Sequence, residues 1–145
     1  EIQPFPVPHD AREPVQYVFT DGKIRLGVLT DIGDPTSHVR DMLSGCSGLV
    51  LEFNHDAQML ARSSYPMSLK RRIAGRYGHL ENSSAAALLG QIDCSSLQHL
   101  VIAHLSERNN LAELAVSAAA SALGCPLDWI GVATANQGFD WRNVA

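Results

Sequence analysis

Polar and apolar positions along this chain fall into blocks whose period changes, and the changes mark its elements. Gln16 to Thr20 is rich in aromatic and β-branched residues, Lys23 to Thr30 runs from alternating into continuously apolar, and Asp21-Gly22 lies between them. Two such runs across an Asp-Gly pair predict a β-hairpin, because glycine accepts the backbone conformation that a tight turn requires. Thr36 to Leu43 places Val39, Met42 and Leu43 on one face and stops at Gly45, which predicts a short helix; Gly48 to Phe53 returns to strand. Ala57 to Arg62 reads as helical, Pro66 to Arg76 as a helix with Pro66 in its first turn, and Asn82 to Ile92 as an alanine-rich helix capped by Asn82 or Ser83. Leu97 to Ala103 predicts a buried strand, Leu111 to Leu123 a helix closed by Gly124, and Leu127 to Ala135 an edge strand, while Gly138 to Ala145 carries little signal. Strands alternating with helices, without linker or repeat, predict one α/β layered domain.

Composition narrows this picture. The chain has 145 residues, 46% of them hydrophobic and 18% charged, the balance of one globular domain with a modest core. Its apolar runs fall far short of the roughly 20 residues that a membrane span needs. No targeting signal is visible, and the opening Glu1 followed by Pro4, Phe5, Pro6, Val7 and Pro8 reads as a cut into a longer polypeptide. Cys46, Cys94 and Cys125 are odd in number and widely spaced, which speaks against a disulfide framework or a thiolate zinc site and favours a cytoplasmic protein. The net charge of −4 argues against indiscriminate nucleic-acid binding. Lys70, Arg71, Arg72 and Arg76 form a local exception, read first as a solvated helix face that phosphates are able to meet.

Three apolar strands run straight into residues of metal-ligand type: Leu26 to Thr30 ends at Asp31, Leu49 to Phe53 at Asn54-His55-Asp56, and Leu100 to Ala103 at His104. In open α/β sheets ligands bind beyond the carboxyl ends of strands, so the three endings are expected to build one site. Asp31 offers two carboxylate oxygens able to bridge two cations, and neutral imidazoles from His9 and His104 suit zinc or manganese. Taken singly, Asp31 reads equally well as a turn aspartate and His104 as a buried histidine bonded to backbone. His79, in Tyr77-Gly78-His79-Leu80, is placed to protonate a leaving oxygen or, more plainly, to cap the next helix. His38 and His99 receive no role.

Pro8-His-Asp-Ala-Arg-Glu-Pro14, Val28-Leu-Thr-Asp-Ile-Gly33, Leu51-Glu-Phe-Asn-His-Asp56, Tyr65-Pro, Leu69-Lys-Arg-Arg-Ile73, Gly78-His-Leu-Glu-Asn82 and Ala103-His-Leu-Ser-Glu-Arg-Asn-Asn110 occur here in that order. Together they resemble the metallo-β-lactamase superfamily, and within it the YycJ/WalJ-like branch. The resemblance implies an αββα four-layer sandwich of which residues 1–145 form the carboxyl-terminal half as a single partial domain, since the amino-terminal half with its His-x-His-x-Asp-His motif is absent. It implies metal ligation by His9, Asp31 and His104, a leaving-group proton donor in His79, and a site shaped by His55 and Asp56, with His55 a second candidate catalytic side chain. The implied activity is two-metal phosphodiester hydrolysis of DNA exonuclease type, on a nucleic-acid substrate and with no membrane partner. With only these ligands, each cation keeps too few protein donors. The isolated chain is therefore expected to bind the two divalent ions weakly or not at all, to be inactive, and to pair with the missing half or with itself. Hydrolysis of esters, thioesters or lactams on the same fold, and a non-catalytic scaffold, are the alternatives.

Overall fold

A computed structural model describes residues 1–145, and its strands form one mixed sheet. Strands β1 (Ile2–Pro6), β2 (Val15–Thr20), β3 (Arg25–Leu29), β4 (Gly48–Glu52), β5 (His99–Ala103) and β6 (Gly131–Val132) lie side by side in chain order. The first three are antiparallel neighbours, and β3 to β6 run parallel. The helices are α1 (Ser37–Leu43), α2 (Ala57–Arg62), α3 (Met67–Ile73), α4 (Asn82–Leu89) and α5 (Ala112–Leu123). None is long and apolar enough to cross a membrane.

Register explains which face is buried. Val18, Gly27, Leu49 and Leu100 stand in one cross-strand row and Leu29, Leu51 and Ile102 in the next, and these leucines, valine and isoleucine are all essentially buried. They join Val39 and Leu43 of α1, Ala85, Leu88 and Leu89 of α4, and Ala115 and Ala119 of α5 in one core cluster. Small residues on α4 and α5 let those two helices approach each other closely while covering the sheet. The opposite face carries the row Tyr17, Val28, Val50 and Val101 beside the row Phe19, Leu26, Gly48 and His99. Tyr17, Phe19 and Leu26 remain 39% exposed there. Part of this face is roofed by residues 139–144, held by the His99 ring at 2.8 Å from the Asn143 carbonyl oxygen.

Several elements differ from the sequence expectation. The proline-rich opening forms β1, with Pro4 opposite Tyr17 and Pro6 opposite Val15; an edge strand tolerates the missing amide donors. Helix α3 stops at Ile73 because the chain turns through Gly75 and Gly78, and Gly78 donates to the Gly75 carbonyl at 2.9 Å. The expected edge strand shrinks to Gly131–Val132, since Leu127–Trp129 forms a single 3-10 turn and Thr134 to Gly138 closes another turn. The α4 cap is Glu81, without a side-chain bond.

Asn82 is drawn instead into the interior, where it and Asn110 exchange amide hydrogen bonds of 2.8 and 2.9 Å. Asn110 also donates to the Phe53 carbonyl oxygen at 2.8 Å and accepts from the Leu111 amide at 2.9 Å. The pair ties α4 to the segment entering α5 directly beneath the end of β4. Replacing Asn110 by Leu would strand the Asn82 amide and two backbone groups in a buried setting. It is expected to cost about 2–4 kcal/mol of stability, read from the midpoint of urea unfolding.

Candidate metal centre

The parallel strands β3, β4 and β5 end at the same edge of the sheet, and their last residues converge on one carboxylate. Glu52, the final residue of β4, is completely buried. Its Oε1 lies 2.7 Å from Nδ1 of His79 and 2.7 Å from Nδ1 of His104, while Oε2 accepts from the Ile32 amide at 3.1 Å and the Leu80 amide at 3.2 Å. Four donors thus occupy the four lone-pair positions of an ionised carboxylate. Burial pushes the Glu52 pKa up, but the hydrogen bonds from His104 and His79, the charge on His79 and the Ile32 amide outweigh it, so the group stays below the ordinary glutamate range.

An ionised acceptor fixes both rings with the proton on Nδ1, leaving Nε2 as the free nitrogen. Nε2 of His104 then stands 3.8 Å from Oδ1 of Asp31. His9 reaches the same oxygen from the loop after β1: its Nδ1 is 3.0 Å from the Gly78 carbonyl oxygen, and its Nε2 is 3.6 Å from Oδ1 of Asp31. Nδ1 of His79 lies 3.8 Å from that oxygen, and its ring packs edge-on to His9 with centroids 5.2 Å apart. Asp31, Glu52, His79 and His104 each offer an atom within 4.8 Å of the others.

Donor chemistry and spacing fit a divalent cation. Carboxylate oxygen and neutral imidazole nitrogen are the donors that zinc and manganese take, and each imidazole is oriented by an acceptor on its other nitrogen. The backbone supplies a second sign. Asp31 and His104 are the only non-glycine residues with positive φ, at 51° and 57°. The left-handed region costs a side-chain-bearing residue about 1–2 kcal/mol, and such strain collects at functional sites. Asn54 braces the turn by donating to the His104 carbonyl oxygen at 2.9 Å. On the other flank Gly78 has no room for a side chain: a Cβ there would stand 2.1 Å from the Ile73 carbonyl oxygen.

The structure therefore brings His9, Asp31, His79 and His104 together, and it adds Glu52. A carboxylate in the otherwise apolar run Leu49-Val-Leu-Glu-Phe53 was the available signal, because an acid in a fully buried strand needs several donors. His55 is not brought into the group. Its side chain is 2% exposed, its Nδ1 has no hydrogen-bond partner, and burial lowers its basicity despite the nearby charges of Glu81 and Glu52. Asp56 caps α2, accepting from the Met59 amide at 2.9 Å. Arg72 pairs with Asp10 beside His9, and Arg76 with Asp34 at 3.2 Å near Asp31, so the end of α3 is tied to both ligand loops.

Known proteins extend these observations. Over 115 residues the chain is 38% identical to exodeoxyribonuclease YycJ of Bacillus anthracis and 33% identical to exodeoxyribonuclease WalJ of Streptococcus pneumoniae. Among solved structures, the metallo-β-lactamase fold protein YhfI of Bacillus subtilis superposes with a TM-score of 0.67 at 14% identity, over 97% of this chain and 48% of that one. This chain is a YycJ/WalJ-like protein of the metallo-β-lactamase fold. Zinc-bound PqqB of Methylobacterium extorquens also shares the fold, with a TM-score of 0.60 at 18% identity over 94% of this chain and 44% of that one. The matched 79% of the chain spans 44% of the YycJ relative and 43% of the WalJ relative. No family model matches it.

Two pH dependences follow for the metal-free YycJ/WalJ-like chain. The hydrogen bond to Glu52 raises His104 above its ordinary 6.5, against burial and with help from the charges of Glu52 and Asp31. Its contribution to stability is complete below that ordinary value and fades as pH rises through the raised one. Glu52 is lowered from 4.5, so its contribution is complete above that value and fades as pH falls through the lowered one. Stability is expected to peak between the two, measured as a denaturation midpoint against pH. Glu52→Gln turns an amide NH2 against existing donors and should remove about 2–4 kcal/mol while flattening both limbs; unchanged limbs would refute the arrangement.

Proposed function

We propose that these residues form part of a metal-dependent hydrolase that cleaves phosphodiester bonds of nucleic acid, acting as an exonuclease in the complete protein. The observation carrying this reading is the convergence of three imidazoles on Asp31 Oδ1, two of them held by the buried Glu52. The exodeoxyribonuclease names of the relatives support the substrate class.

His9, Asp31 and His104 would hold two divalent cations, zinc or manganese, with Asp31 shared between them. When bound, such ions supply a nucleophile at neutral pH and neutralise charge on the phosphoryl oxygens. The chain's own residues do the remainder. Glu52 keeps the His104 ring in one tautomer and orients His79, whose cationic form carries a proton on Nε2 for the departing oxygen. The left-handed turns at Asp31 and His104 aim both ligands across the strand ends, so little reorganisation is needed at the moment of reaction.

The ligand set within residues 1–145 is open, since a catalytic zinc ordinarily takes three protein donors and water. We assign the remaining donors to a second layer packed on the sheet face that carries Tyr17, Phe19 and Leu26. Until that layer is in place the chain binds metal weakly and tends to self-associate. The three free thiols suit a reducing, cytoplasmic setting.

Calorimetric titration of the 145-residue chain with zinc should show no tight stoichiometric pair of ions; two tightly bound ions would overturn the shared-site reading. In the full-length protein His104→Ala should lower turnover on single-stranded DNA by about a thousandfold or more, the loss expected when charge stabilisation at the reacting phosphate fails. Near-normal nuclease activity, or a preference for small carboxylic esters over nucleic acid, would sink the assignment.

A further inference from the structure

Charge is segregated along this chain in a way the metal centre does not use. Between Asp56 and Glu81 stand Arg62, Lys70, Arg71, Arg72 and Arg76 and no acidic residue, although the whole chain has 15 Asp and Glu against 11 Lys and Arg. These cations lie on α2, α3 and the loop that follows, and Lys70 links the two helices by donating to the Ala61 carbonyl oxygen at 2.6 Å. Arg72 and Arg76 are paired with Asp10 and Asp34. Arg62, Lys70 and Arg71 have no carboxylate partner, and Arg62 and Arg71 are exposed.

This ridge leads into the site. A cavity of about 220 Å³ lined by Asp10, Leu69, Arg72, Ile73, Gly78 and His79 joins α3 to the imidazole cluster. An exposed aromatic ring adjoins one of its lining residues in sequence: Tyr77 is 56% exposed, immediately before Gly78, with the Arg76 guanidinium 5.8 Å from its ring centre. Cations tracking a backbone with exposed aromatics between them are the means by which proteins hold single strands. An anionic membrane surface would use the cations but has no use for a narrow cavity ending at His79.

We propose that α2 and α3 form a rail for single-stranded nucleic acid, with Arg62, Lys70 and Arg71 on successive phosphates, a base on Tyr77, and the strand entering the metal centre past Arg72 and His79. The rail rests on the hydrolase reading and names where that reading's substrate lies. It also gives an acidic chain a local excess of cations, since five of its 11 Lys and Arg lie between Asp56 and Glu81 with no acidic residue among them.

The test measures binding, which does not require turnover. A fluorescein-labelled oligodeoxythymidine is titrated with the chain at several salt concentrations, and the double variant Arg62→Ala/Arg71→Ala is compared with it. Each phosphate contact on a single strand contributes about 0.7 to the slope of log affinity against log salt, so the variant should lose about 1.4 from that slope and bind at least tenfold more weakly. Tyr77→Ala should weaken binding about tenfold with the slope unchanged, because stacking releases no counterions. Circular dichroism melts of all three chains control for folding, which neither exposed arginine supports. An unchanged slope in the double variant overturns the rail, as does wild-type binding to phosphatidylserine vesicles that is tighter than to the oligonucleotide. Failure of the hydrolase reading would look different: the full-length protein would show no metal-dependent turnover while the salt slope on the rail persisted.

Discussion

One buried carboxylate holds this structure's functional edge together. Glu52 sits at zero exposure with no lysine or arginine beside it, which is a costly place for a charge unless every lone pair is used. Here every one is: two imidazoles from separate loops and two backbone amides close around it. The contacts come from the segments after β3, α3 and β5, so the same interaction that stabilises the acid also fixes the relative positions of Asp31, His79 and His104. Stability and site geometry are a single hydrogen-bond network.

The sheet supplies the rigid base for that network. β3, β4 and β5 are parallel, their cores buried on one side by α1, α4 and α5, and their ends level with one another. Immediately beyond them the backbone takes two strained turns, at Asp31 and His104, that glycine would accept more easily. Keeping side chains there makes sense where the side chains themselves are required.

Much of this was legible in the sequence. Apolar runs ending in Asp31 and His104 located the two strand ends, and the hairpin through Asp21-Gly22 follows from turn chemistry. Glu52 escaped assignment because a single acid inside Leu49 to Phe53 reads as one more strand position until the donors around it are known, and those lie 20 to 52 residues away in sequence. His55 escaped in the opposite direction. A histidine in a dense polar motif reads as chemistry, yet its neighbours Asn54 and Asp56 brace a turn and cap a helix while His55 itself is buried. The opening strand was obscured by Pro4 and Pro6, which disfavour interior strands but suit an edge. Helix ends shifted wherever glycine offered the chain an exit, as after Ile73.

His79 and His104 share not merely one residue but one oxygen, Oε1 of Glu52. Any displacement of that oxygen carries both rings with it, so neither imidazole can be re-aimed without the other. Remodelling the loop after α3 is therefore felt in the loop after β5 through a single atom.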